Sequence, residues 1–172
     1  MSPFGGNAVE GAFAFPREQN PGNPARFPYT TMDGGPLALR GGPGGTAAFR
    51  FGWAGLDGLV RNTRSAATDR IGFVVLPFTS AALNTWQRNF WDETTHTYRV
   101  REGTEAVMLT RGAVWARFAG GSWPGQKVYA SLVDGAPISG YADDAELTAW
   151  LVQTEAAPGE LAIINTFAYF GD

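Results

Sequence analysis

The chain holds one histidine, His96, in the stretch "DETTHTYRV", three residues after Glu93 and four after Asp92. An imidazole beside two carboxylates is the smallest set that could hold a metal ion or serve as a general base. Any histidine-based triad or zinc centre must therefore pass through this residue. No second ligand cluster accompanies it, so His96 reads as an exposed loop histidine. The other acidic stretch, "YADDAE", brings Asp143, Asp144 and Glu146 together. It lacks the glycine-centred twelve-residue loop that calcium requires and reads as a solvated turn. "GGPGG" at 41–45 has the glycine content of a phosphate loop without the following Gly-Lys-Ser/Thr and helix. Cysteine is absent, which excludes disulfides and thiolate metal sites. Paired carboxylates for glycoside hydrolysis need not be adjacent in a chain, and no pair is indicated. The expectation is a protein that is not an enzyme and takes no cofactor and no metal.

Ring side chains are the other chemistry on offer. Trp86, Phe90 and Trp91 fall within six residues of a polar segment, "TWQRNFW". An exposed aromatic patch of this kind suits the centre of a protein interface, and the same rings would suit stacking on a sugar. Phe4, Phe13, Phe15, Phe27 and Tyr29 are spread along the first thirty residues. A solvated linker has no need of such rings, whereas a segment lying on a surface does. The candidate partner-binding residues are Phe13, Phe15, Phe27, Tyr29, Trp86, Phe90 and Trp91. Trp53, Trp115 and Trp150 sit in strand-like patterns and are expected in the core. Trp123 precedes Pro124 and either packs on it or lies at a rim.

The elements that must position these rings divide near residue 47. Before it, proline and glycine recur in "FPREQNPGNPARFPY" and "MDGGPLALRGGPGGT", and each X-Pro step drives the preceding residue out of the helical region. Residues 1–47 read as an extended arm, lying on another surface or wrapping back over its own domain. Residues 48–172 read as a core of short strands. "AAFRFGWAGLDGLVRN" is strand, turn, strand with the turn at Gly55 to Gly58, and "RIGFVVLPF" is a strand cut by Pro77. Three more strands lie in "TYRVREGTEAVMLTRGAVWARFA", in which Val107 and Leu109, then Val114, Ala116 and Phe118, are expected to alternate between faces. "TSAALNTWQRNFWDE" makes either a helix of two or three turns capped by Ser80 or an irregular loop. Two Pro-Gly corners, Pro124-Gly125 and Pro158-Gly159, each launch an alternating strand. They suggest two equivalent edges of one sheet, closed near each other. The fold class expected is all-β: a compact barrel or sandwich of short antiparallel strands with an extended Gly/Pro-rich N-terminal arm and at most one or two short helices.

Composition narrows the classes further. The formal charge is −3, and no basic stripe is present, which argues against a nucleic-acid partner. Of thirteen basic residues only Lys127 is lysine; arginine suits planar interface contacts, and a GC-rich genome would give the same bias. The opening "MSPFGGNAVEGAFAFPREQ" lacks the basic and apolar regions of a secretion signal, and no run of eighteen apolar residues predicts a membrane span. The expectation is synthesis in a cytosol with no membrane partner. Without disulfides, oligomerisation is one route to stability.

The ordered set "WPGQKVYASLVDGAPISG", "TAWLVQTEAAPGELAIINTF" and, before them, "RFGWAGLDGLVRN", "GFVV" and "RGAVWARFA" resembles the structural cement proteins of tailed-phage capsids. "GNPARF" in the arm resembles the N-terminal segment of that family. Two stretches depart from the pattern: "NTWQRNFWDETTHTY" is richer in aromatics, and "GYADDAELTAW" looks like a local insertion. The resemblance implies an all-β, non-catalytic decoration protein on the outer surface of the virion, made in the host bacterial cytoplasm. Its partners would be the phage major capsid protein and itself, as a homo-oligomer, trimer favoured over dimer. Several modest contacts on one rigid oligomer reinforce one another through effective concentration. The alternative function is a carbohydrate-binding β module of a phage tail or fibre, carried by Trp86 and Trp91.

Overall fold

The computed structural model describes residues 30–32, 38–76, 91–95 and 97–166. Among them there is no helix, and the fold is all-β. The stretch expected to be either a helix or a loop lies outside the described residues except for its last three. The chain forms two compact units.

One unit comprises Thr31–Thr110 and Val133–Gly135. Its strands are β1 (Thr30–Met32), β2 (Arg40–Gly41), β3 (Thr46–Ala47), β4 (Phe51–Ala54), β5 (Leu59–Arg61), β6 (Arg70–Val75), β7 (Trp91–Asp92), β8 (Thr97–Val100) and β9 (Val107–Arg111). Six of them form a sheet in the order β1-β9-β6-β4-β5-β2, and β3-β8-β7 form another. The predicted strand–turn–strand is β4 and β5, closed by a Gly58 N–H to Gly55 carbonyl bond of 3.0 Å. The pairing is antiparallel in the central ladders, but β2 and β5 run parallel, Arg40 opposite Leu59, a departure from the expected all-antiparallel pattern.

Period-two alternation also fails in the middle of this sheet. All of Phe51 to Ala54 and all of Gly72 to Val75 are buried, as are the neighbours Met108 and Leu109. A strand covered on both faces reads as a continuous apolar run rather than an alternation. Phe51 and Phe73 face each other in register, their rings edge to face at 5.3 Å. Thr46 is a buried polar residue with both ends of its hydroxyl used: it accepts from the Gly42 N–H and donates to the Val60 carbonyl. The Asp134-Gly135 turn groups with this unit, where Arg50 pairs with Asp134 at 2.9 Å and the Phe51 N–H donates to the Gly135 carbonyl. Gly135 has φ +72°, and a Cβ there would collide with the Phe51 carbonyl oxygen, so only glycine fits.

The second unit includes Arg111–Leu132 and the described part of Ala136–Asp172. Its five strands are β10 (Ala113–Arg117), β11 (Lys127–Ser131), β12 (Pro137–Ser139), β13 (Ala145–Val152) and β14 (Leu161–Asn165), in the order β10-β14-β13-β11-β12. The two Pro-Gly corners are related in space as well as in sequence. Gly125 and Gly159 have φ of +85° and +82°. The residues leading into the corners pair, Ser122 with Ala156, through backbone bonds of 2.9 and 3.1 Å. The strands that follow are not edges, however: β11 and β14 are both interior, on either side of β13. β10 is buried at every position from Ala113 to Ala116, so its expected alternation is also replaced by two-sided burial. Trp53, Trp115 and Trp150 are buried, as their strand contexts predict.

Candidate interaction surface

Strands β11 and β13 keep the alternation that β4, β6 and β10 lose. Val128 and Ala130 of β11 are buried, as are Thr148, Trp150 and Val152 of β13. Tyr129 and Leu147, directly opposite each other in register, therefore share the other face, and Ile138 of β12 is opposite Tyr129 on its far side. The ladder carries an irregularity here: between the pairs Lys127–Leu151 and Tyr129–Leu147 one β11 residue faces three of β13. The buried Thr148 hydroxyl repairs the gap by donating to the Val128 carbonyl at 2.7 Å and accepting from the Trp150 N–H at 3.1 Å.

The connection from β12 to β13 crosses this face. β11 lies between the two strands and is antiparallel to both, so they run parallel to each other and need a crossover. The Gly140 N–H bonds the Lys127 carbonyl at one end of β11, and the Asp144 carbonyl accepts from the Leu132 N–H at the other. Residues 140–144 thus form a strap running the length of β11. The ring of Tyr141 stands edge-on to that of Tyr129, with centroids 5.9 Å apart and planes at 82°. Its hydroxyl donates to Asp143 at 3.0 Å. The strap is the segment "GYADD".

This surface is open and carries large apolar side chains. Tyr141 is 79% exposed and Leu147 48%, and Trp123, just before the first Pro-Gly corner, is 62% exposed. The Trp123 N–H donates to Gln126 Oε1, which also accepts from the Ser139 hydroxyl, so the corner is held to the end of β12. Trp123 accordingly lies at a rim. Asp143 and Asp144 give the strap an acidic border and are both exposed.

Of the residues expected from sequence to bind partners, only Trp91 is among the described residues. Phe13, Phe15, Phe27, Tyr29, Trp86 and Phe90 lie outside the described residues, as does His96. The backbone of Trp91 belongs to β7 and pairs opposite Tyr98. Among the described residues no group of three or more His, Cys, Asp or Glu could hold a metal ion. The glycine loop at 41–45 is tied to its own unit: the Gly44 N–H donates to Glu102, and Arg99 donates to the carbonyls of Gly44 and Gly45. Its donors and acceptors serve the fold. Tyr129 and Leu147 were missed as candidates because tyrosine and leucine in a strand pattern signal core. Only the polar flank "SGYADDA" marked Tyr141 as a ring in an exposed setting.

Carboxylates in the first unit are held by local bonds. The Arg61 guanidinium, followed by the Leu59 N–H, holds Asp57 below the usual carboxylate range. At Asp69 burial pushes upward, but the Ala66 N–H and the Ser65 hydroxyl and N–H outweigh it and leave its pKa lowered. Both clamp turns of the fold.

Among the described residues, an all-β scaffold presents an open face that carries aromatic rings. A family model matches residues 18–166, that of the structural cement protein (E217 gp24/Pam3 gp6), and the chain belongs to this phage family. No curated protein matched the chain. Membership implies a structural, capsid-stabilising role in association with a phage capsid and a place in the virion.

Proposed function

We propose that the protein binds the outer surface of the phage major capsid shell and bridges neighbouring subunits as a homo-oligomer, a trimer rather than a dimer. The carrying observation is the open face of Tyr141 and Leu147 on a sheet whose opposite side is buried, with the exposed Trp123 at the corner before β11. Tyr141 packs edge-on to the strand residue Tyr129, and the Trp123 N–H is bonded to Gln126, so aromatic side chains with few rotatable bonds lose little entropy on docking there. The arm, taken as residues 1–47, adds reach. Fully extended, forty residues span at most about 130 Å. The rings at Phe13, Phe15, Phe27, Tyr29, Trp86, Phe90 and Trp91 are further contact candidates on this reading. No reaction, nucleic acid or membrane enters it.

The test is co-sedimentation of purified protein with undecorated shells, alongside the oligomer mass in solution. Saturable attachment that stiffens shells against heat supports the reading. Absence of saturable attachment overturns it. Deleting residues 1–30 is expected to leave a folded core and weaken attachment.

A further inference from the structure

We infer that the strap face of the second unit is a receptor for the proline-rich arm of a second copy of this chain. The inference rests on the homo-oligomer clause of the proposed function. In the folded chain Tyr141 and Trp123 remain open, so an occupant from another molecule can reach them. The arm has the matching chemistry. It carries Pro16, Pro21, Pro24 and Pro28, with a P-x-x-P spacing at Pro21 and Pro24 and arginines at 17 and 26. Prolines bias such a segment towards the polyproline II helix, which repeats every three residues; in that helix residues three apart, as Pro21 and Pro24 are in sequence, would share one ridge about 9 Å apart. Ridges of this kind dock on aromatic surfaces whose rings meet at an angle. Tyr129 and Tyr141, meeting at 82°, form such a corner.

Charge sets the direction. Asp143 and Asp144 border the corner, and Arg26 follows Pro24 by two residues, so a proline ridge on the rings brings a guanidinium to the carboxylates. A contact this small is weak between free molecules. Copies held at fixed spacing on a shell meet at a high effective concentration, and there a weak contact suffices. The arm and the strap then tie one copy to the next.

The full chain itself serves as the probe. A photo-reactive benzoylphenylalanine is placed at position 27, labelled and unlabelled copies are mixed at high concentration without capsid, and adducts are mapped by mass spectrometry. The expected product joins two chains, from position 27 to the 120–151 stretch. Tyr141→Ala is expected to reduce it about ten-fold, as for a central interface ring. Asp143→Asn with Asp144→Asn is expected to reduce it about three-fold, as for exposed charges. Adducts within one chain, adducts elsewhere, or a yield unmoved by Tyr141→Ala overturn the inference. Intact shell attachment alongside such a result leaves the proposed function standing. Inter-chain adducts at the strap with no shell attachment do the reverse.

Discussion

The central sheet of the first unit and the sheet of the second are built on different logic. In β4 and β6 both faces are buried, and glycine, phenylalanine and valine fill the space between layers without regard to period. In β11 and β13 burial alternates, and the outward residues include Leu147, about half exposed, and Tyr129, half-buried against the ring of the exposed Tyr141. A strand buried on both sides can only support. A strand buried on one side can also present. The contrast assigns scaffolding to the first sheet and presentation to the second.

Substitutions test this division, beginning with the largest effect. Trp53→Ala empties a fully buried site in β4 and is expected to cost about 3–5 kcal/mol in chemical denaturation. Trp115→Ala in β10 falls in the same range, since that ring is buried as well. Gly135→Ala puts a side chain at positive φ against the Phe51 carbonyl and is expected to cost about 2–3 kcal/mol. Thr46→Val keeps the shape and loses the hydroxyl between Gly42 and Val60, at about 1–2 kcal/mol. Leu147→Ala is expected to change stability by under about 0.5 kcal/mol, because the residue is half in water. A Leu147→Ala loss as large as that at Trp53 would erase the distinction between the sheets.

Acid sharpens the comparison from another side. Asp57 and Asp69 are lowered in the folded state, so their contribution is fully present above the unfolded carboxylate value of about 3.9. It is lost as pH falls through the folded values. Melting temperature is expected to drop as pH falls below about 4, and Asp69→Asn to flatten that drop. An unchanged pH profile in the variant would mean that the turn at Ser65–Asp69 does not contribute.

Much of the fold was legible because turn chemistry is local. Gly55–Gly58, Glu102-Gly103 and Arg111-Gly112 mark strand ends in sequence and in space. Buried tryptophans were legible for the same reason, since each sits inside a strand pattern. What sequence could not give was cover. Alternation predicts a face only when the other side is wet, and nothing local to "FGWA" or "AVWAR" says that both sides will be buried. Sheet order was equally hidden: the two Pro-Gly strands look alike, and a likeness in sequence does not say that β13 will lie between them. The open face was missed because its centre, Tyr129, belongs to a strand and its partner ring, Tyr141, arrives from a crossover that only the topology reveals.

The place of β14 carries a consequence for how the molecule is made. Residues 161–165 fill the slot between β10 and β13, so the second sheet cannot close until they have been synthesised. Until then β10 and β13 each lack a neighbour, and their free edges invite mispairing between nascent chains. Folding of this half is therefore a late, long-range event, and slower synthesis will not hasten it.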